Sequence, residues 1–166
     1  MLWFFFDTSA IVKRYHAEKG TEIVNRIFEG IITRKGRCVI SALSISEFAS
    51  ALRRKVISKE ISWTDFWAAF SAFLHETSYL RVEPIEGNLY AEGLDYILKY
   101  GLSSHDSVQL ATLIKLHTFL EIPKNKLILV SSDVRLNEAA EGEGFMVVNP
   151  ETETLERIEE ILKADP

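Results

Sequence analysis

Apolar residues in this chain fall into two kinds of run. Five stretches are short and nearly unbroken: Leu2 to Phe6, Cys38 to Ser41, Leu80 to Ile85, Leu127 to Ser131 and Phe145 to Val148. Runs of that length without clean alternation suit strands buried on both faces. Pro84 interrupts the third and places it toward a sheet edge. Elsewhere apolar residues recur at helical spacing. The pattern predicts helices over Thr8 to His16, Thr21 to Gly30, Ser44 to Ile57, Ser62 to Thr77, Leu89 to Tyr100, Ser103 to Leu116, Val134 to Ala140 and Thr154 to Leu162. Gly101 is the expected stop after Tyr100. The helix from Ser103 is apolar almost all round, so it is expected to lie deep. Strands alternate with helices throughout. The expected fold class is therefore α/β, with a mostly parallel central sheet of about four to five strands and helices on both faces.

Length and composition narrow this picture. The chain has 166 residues, and at about 150 residues per domain that is one domain. No repeat or linker divides it: a core over about 2–150 is followed by an acidic helical segment over 151–166. Apolar residues are 47% and charged residues 26%, which excludes a disordered chain. A single cysteine, Cys38, excludes an intrachain disulfide and a Cys-based zinc site. No apolar run approaches the roughly 20 residues of a membrane span, and no basic leader precedes the first strand, so a cytoplasmic protein is expected. The net charge of −5 argues against holding nucleic acid by bulk charge alone. The charge is uneven, however. From Glu138 onward, nine carboxylates face only Arg157 and Lys163, which leaves the body mildly basic. Basic residues bunch at Arg34, Lys35 and Arg37 and at Arg53, Arg54 and Lys55, as solvated surface or as contacts to a polyanion backbone.

Four acids occupy comparable places. Asp7 directly follows the first strand and Asp133 a later one. Glu47 and Asp106 lie in the first turns of two helices. In an open α/β sheet, ligands bind outside the carboxyl ends of the strands, so all four are candidates for one pocket. Each also has a plainer explanation. Ser44–Glu47, Ser62–Asp65 and Ser103–Asp106 all fit the capping box, and Asp7 and Asp133 fit plain N-caps. Asp106 heads a helix with almost no polar side, and an ionised carboxylate there needs a partner. Converging carboxylates repel one another, and a cation is the usual remedy. Oxygen ligands without a His or Cys cluster select a hard ion such as Mg²⁺ or Mn²⁺. His105 neighbours Asp106 but is turned about 100° away on a helix, which makes it structural or substrate-facing. Such a pocket suits phosphodiester hydrolysis, in which one ion lowers the pKa of an attacking water and a second stabilises the leaving oxygen.

These residues resemble a known family. The apolar strand followed by Asp7-Thr8-Ser9-Ala10, and Ser46-Glu47-Phe48 opening a helix, are similar to the PIN-domain ribonucleases. So are Leu102-Ser103-Ser104-His105-Asp106, Val130-Ser131-Ser132-Asp133 and the late strand ending in Asn149-Pro150. Within that family, length and motif order are most similar to VapC-type toxins of toxin–antitoxin pairs. The resemblance implies an Mg²⁺- or Mn²⁺-dependent endoribonuclease that cleaves RNA with a metal-activated water. It implies Asp7, Glu47, Asp106 and Asp133 as the catalytic, metal-binding quartet, with Thr8, Ser9 and Ser131 as supporting hydroxyls. It also implies a VapB-like antitoxin partner and a homodimer. The aromatic helix and acidic tail extend beyond a minimal VapC and leave open a non-toxin PIN nuclease of RNA processing.

Two further expectations concern surfaces. Arg54 shares a helix face with Glu47, which marks Arg54, with Arg53, as a candidate RNA contact. Trp63, Phe66, Trp67, Phe70 and Phe73 form an aromatic stripe, as core or as a homodimer or antitoxin surface. Base stacking is disfavoured because only Lys59 lies near the stripe in sequence. The non-enzyme alternative is an α/β binding module whose acids merely cap helices.

Overall fold

The computed structural model of the chain describes residues 1–31 and 37–164. Its sheet comprises β1 (Trp3–Phe6), β2 (Cys38–Ser41), β3 (Arg81–Glu83), β4 (Leu127–Val130) and β5 (Met146–Val148). All four pairings are parallel, in the order β3-β2-β1-β4-β5. The helices are α1 (Thr8–Tyr15), α2 (Thr21–Ile31), α3 (Leu43–Ile57), α4 (Trp63–Glu76), α5 (Gly87–Tyr100), α6 (Ser104–Phe119), α7 (Val134–Gly142) and α8 (Leu155–Lys163). The expected elements are all present with ends shifted by a few residues. β3 lies at an edge, as expected, and ends just before Pro84; the sheet is wholly parallel.

Period-two alternation in β1 splits the core in two. Phe4 and Phe6 face one side with Ile40, Ile128 and Val130, under Ile11 of α1, Ile27 of α2, Phe48 of α3, Phe73 of α4 and Ile158 of α8. Phe5 faces the other side with Val39 and Leu129, under Leu110 and Leu113 of α6 and Leu136 of α7. A strand paired on both edges and covered on both faces must be apolar throughout, which is why three phenylalanines stand in a row. α6 lies deep as expected, with residues 107–113 all buried. Two of its buried polar side chains turn back on their own helix: Ser107 Oγ donates to Ser104 O at 2.9 Å and Thr112 Oγ1 to Val108 O at 2.7 Å.

The chain steps outward from β1 through β2 to β3, then returns to the opposite side of β1 for β4 and β5. That reversal opens a crevice at the carboxyl ends of β1 and β4. Phe6 pairs with Val130, and Asp7 N donates to Val130 O at 3.0 Å, so Asp7 and Ser131 leave the sheet side by side.

The acidic C-terminal segment is tied to the body by ion pairs: Glu143 with Lys99 at 2.8 Å, Glu151 with Lys13 at 2.7 Å, and Glu159 with Arg26. A Cβ on Gly20 would lie 2.7 Å from Pro150 O, and Gly20 has φ +91°, so only glycine lets the turn carrying Glu151 approach this closely. Arg37, expected within a surface basic cluster, is buried, and its Nη1 donates to Leu2 O at 3.1 Å. Arg34 and Lys35 lie outside the described residues. No helix among the described residues is long and apolar enough to cross a membrane.

Candidate active site

A solvent-open pocket of about 570 Å³ lies over the crevice, and all four predicted acids line it: Asp7, Glu47, Asp106 and Asp133. They arrive from four different elements. Asp7 caps α1, Glu47 projects from α3, Asp106 sits in the first turn of α6, and Asp133 caps α7.

The hydrogen bonds at each acid follow one pattern. Asp7 Oδ2 accepts from Ser9 Oγ at 2.6 Å, Ser9 N at 3.0 Å and Ser131 Oγ at 3.3 Å. Glu47 Oε2 accepts from Thr8 Oγ1 and Gln109 Nε2, both at 2.8 Å. Asp106 Oδ2 accepts from Ser103 Oγ at 2.6 Å, and Asp133 Oδ1 from Leu136 N at 2.9 Å. In all four, one carboxylate oxygen is pinned and the other has no hydrogen-bond partner among the described residues. Pinning one oxygen fixes the carboxylate and leaves the second available to a ligand in the pocket.

Two of the predicted capping roles change. α3 begins a residue early, at Leu43, because Ser41 Oγ accepts from Leu43 N at 3.1 Å. Ser44 is thereby carried inside the helix and buried, so the expected Ser44–Glu47 capping box does not form. At α6, Ser103 Oγ accepts from Asp106 N at 3.2 Å, but Asp106 is not bonded back to the cap backbone. The three hydroxyls expected to support the acids divide between two of them. Ser9 and Ser131 orient Asp7, whereas Thr8 serves Glu47. Ser131 Oγ also accepts from Asp133 N at 3.0 Å, coupling the first and last acids.

Burial pushes the Asp7 carboxyl up to about 6, against hydrogen bonds from Ser9 that lower it, and the charge of Glu47 adds to the rise. Three cations, Lys13, Arg54 and Lys55, also line the pocket, with Glu18 and Glu151. Lys13 is buried and paired with Glu18 at 3.1 Å as well as with Glu151, and Lys55 reaches the same Glu18 at 2.9 Å. Burial raises the Glu18 carboxyl, but the hydrogen bonds from Lys55 and Lys13 outweigh it and hold it below its usual value. Arg54 lines the pocket as expected. Arg53 does not: its guanidinium lies 5.6 Å from the Trp63 ring centroid, a cation–π contact that draws it onto α4. The stripe therefore has a basic neighbour that sequence proximity did not reveal. Phe66 and Phe73 of the stripe are buried, whereas Trp63 and Trp67 are 50% and 59% exposed.

Lys55, expected in a basic cluster, lines the pocket; sequence reasoning missed Lys13, Glu18 and Glu151 as lining residues and Gln109 behind them. A signal existed for Gln109: it is the single amide in the apolar run of α6, three residues after Asp106. His105 lines the pocket beside Asp106.

The donor set fits a divalent cation in its chemistry, offering hard carboxylate oxygens with one open oxygen each. Among the described residues, no three His, Cys, Asp or Glu side chains are gathered into a ready cage.

Comparisons with known proteins bear on the family and the fold. A family model described as PIN domain matches residues 4–142. The fold is similar to PAE2754 from Pyrobaculum aerophilum, at 17% identity and TM-score 0.61, covering 99% of this chain and 98% of that one. It is similar to VapBC2 from Rickettsia felis, solved bound to a DNA fragment from their promoter, at 14% identity and TM-score 0.60, covering 89% and 98%. It is also similar to a toxin–antitoxin complex from Klebsiella pneumoniae, at 14% identity and TM-score 0.56, covering 88% and 96%. No curated protein matches the sequence.

Proposed function

The chain belongs to the PIN domain family, whose members are generally nucleases, and on that premise we propose that it is a metal-dependent endoribonuclease, the toxin of a toxin–antitoxin pair. One observation carries the reading: four acids from four elements line one crevice, each with one oxygen pinned and one open.

A bound Mg²⁺ or Mn²⁺ would supply Lewis acidity, lowering the pKa of an attacking water and offsetting charge on the leaving oxygen. Asp7 and Asp106 would be its direct holders. Glu47 and Asp133 would hold it directly or through water, or take the proton of the attacking water. Ser9 and Ser131 orient Asp7, and Thr8 orients Glu47. Arg54, which has no carboxylate partner among the described residues, receives an RNA phosphate at the pocket rim.

Structural neighbours solved as toxin–antitoxin complexes support an antitoxin partner. Exposed Trp63, Trp67 and Ile57 offer it an aromatic-rich surface. On the opposite layer, Tyr90, Leu94 and Leu98 of α5 are exposed at every fourth residue, an apolar face suited to a second copy of the chain.

The test is cleavage of matched RNA and DNA oligonucleotides by purified, partner-free protein with Mg²⁺, Mn²⁺ or EDTA. The reading predicts RNA cleavage that EDTA abolishes and that Asp106→Asn lacks. Cleavage that persists in EDTA, or that is confined to DNA, overturns it.

A further inference from the structure

Gln109 is 1% exposed, packed in α6 between Val108 and Leu110. Its Nε2 donates to Glu47 Oε2 at 2.8 Å and to Ser44 Oγ at 3.1 Å. Its Oε1 has no partner among the described residues. A buried amide oxygen left unpaired is unfavourable, and methionine, unbranched and of similar length, would fill the space without that cost. Packing therefore does not account for a glutamine here. What glutamine adds over methionine is a pair of N–H donors, and both are used.

The orientation of the amide is dictated by its neighbour. Turned over, Oε1 would stand against a carboxylate oxygen, acceptor against acceptor. The amide keeps its donor toward Glu47 even though its own oxygen is left unpaired. Thr8 Oγ1 donates to the same Glu47 oxygen from α1, in the layer on the other side of the sheet. Two donors from opposite layers thus close on Oε2, and Oε1 of Glu47 is left for the pocket. Because Gln109 follows Asp106 by three residues, the bond also ties the Glu47 carboxylate to the helix that carries Asp106.

We infer that Gln109 is a positioning residue that holds the Glu47 carboxylate with one oxygen toward the pocket, an inference that rests on the nuclease reading for its use in metal binding. Hydrogen-bond partners of this kind commonly change metal affinity 10–100-fold.

The experiment is a double-substitution cycle of Gln109→Met and Glu47→Gln, read by Mn²⁺ titration. Gln109→Met is expected to weaken Mn²⁺ binding about tenfold in the wild-type background and by less than about twofold in the Glu47→Gln background. Equal loss in both backgrounds, or no loss in either, overturns the inference. A second readout needs no metal: the Glu47 side-chain carboxyl ¹³C resonance at fixed pH, assigned from its absence in Glu47→Gln. Displacement or broadening of that resonance in Gln109→Met, with the remaining carboxyl resonances in place, supports positioning; an unmoved resonance overturns it. Gln109→Leu serves both readouts should the methionine variant not fold. If the wild type takes up no Mn²⁺ even with RNA present, the nuclease reading fails, while the carboxyl resonance still decides the role of Gln109.

Discussion

The N-termini of α4 and α6 carry nearly the same four-residue signature, Ser62-Trp63-Thr64-Asp65 and Ser103-Ser104-His105-Asp106. At α4 the motif is a complete capping box: Ser62 Oγ accepts from Asp65 N at 3.1 Å, and Asp65 Oδ2 accepts from Ser62 N at 2.9 Å. At α6 only the serine half forms. Asp106 instead faces a pocket that Asp7, Glu47 and Asp133 also line, along with Glu18 and Glu151. Both acids accept a serine hydroxyl on one oxygen, and that bond does not separate a cap from a site. Place in the fold does: α4 begins on open surface, whereas α6 begins at the crevice made by the reversal in strand order.

The largest effect that can break this comparison is on catalysis. Asp106→Asn is expected to lower RNA cleavage by at least about a hundredfold, because removing a ligand exceeds the cost of removing its outer partners. Asp65→Asn is expected to leave the cleavage rate within about twofold, the usual outcome for a substitution away from the reacting groups. Equal rates for the two variants in a single-turnover assay would erase the distinction.

Stability should change in the opposite sense. The Asp7 carboxyl is raised from 3.8 to about 6, so the folded state favours its protonated form. The contribution of Asp7 to stability is therefore present below about pH 4 and is lost as pH rises through 6. Asp7→Asn removes that charge. Without metal it should stabilise the protein at pH 7 by about 3 kcal/mol, roughly 6–12 °C in Tm, with the gain fading toward pH 4. Differential scanning calorimetry across that range checks both size and sign. A destabilised Asp7→Asn at pH 7 would mean that the acid serves the fold rather than the site. Ser62→Ala, by contrast, should cost about 1 kcal/mol, or roughly 2–4 °C, as an ordinary cap does.

The smallest effect separates two adjacent cations. Arg54→Ala should reduce the salt slope of RNA binding by about 0.7, the share of one single-strand phosphate, while Arg53→Ala leaves it unchanged. Fluorescence anisotropy at several salt concentrations reads both.

Much of this architecture was legible in the sequence because it is written locally. Phe4-Phe5-Phe6 suits a doubly covered strand, Pro84 ends β3 short, and the acids at strand ends point to one sheet edge. What the sequence hid depends on contacts between distant segments. Thr8 serves Glu47 across 39 positions, Gln109 across 62, and Lys13 meets Glu151 across 138. The Ser44 cap was misread because the preceding strand supplies Ser41 as the acceptor for Leu43 N, a bond that depends on where β2 ends. The aromatic stripe divides between core and surface. Helical spacing alone could not tell Phe73, whose ring packs on Tyr15 of α1 and Phe48 of α3, from Trp67, which is left exposed.

The central claim is that four acids make one site. It is tested most directly by titrating Mn²⁺ into purified, partner-free protein beside its Asp7→Asn and Asp106→Asn variants, all confirmed folded. The account predicts saturable binding in the wild type that each substitution abolishes, although the two residues come from helices on opposite faces of the sheet. Binding that survives both substitutions, or no binding by the wild type at millimolar Mn²⁺ with RNA present, would contradict it.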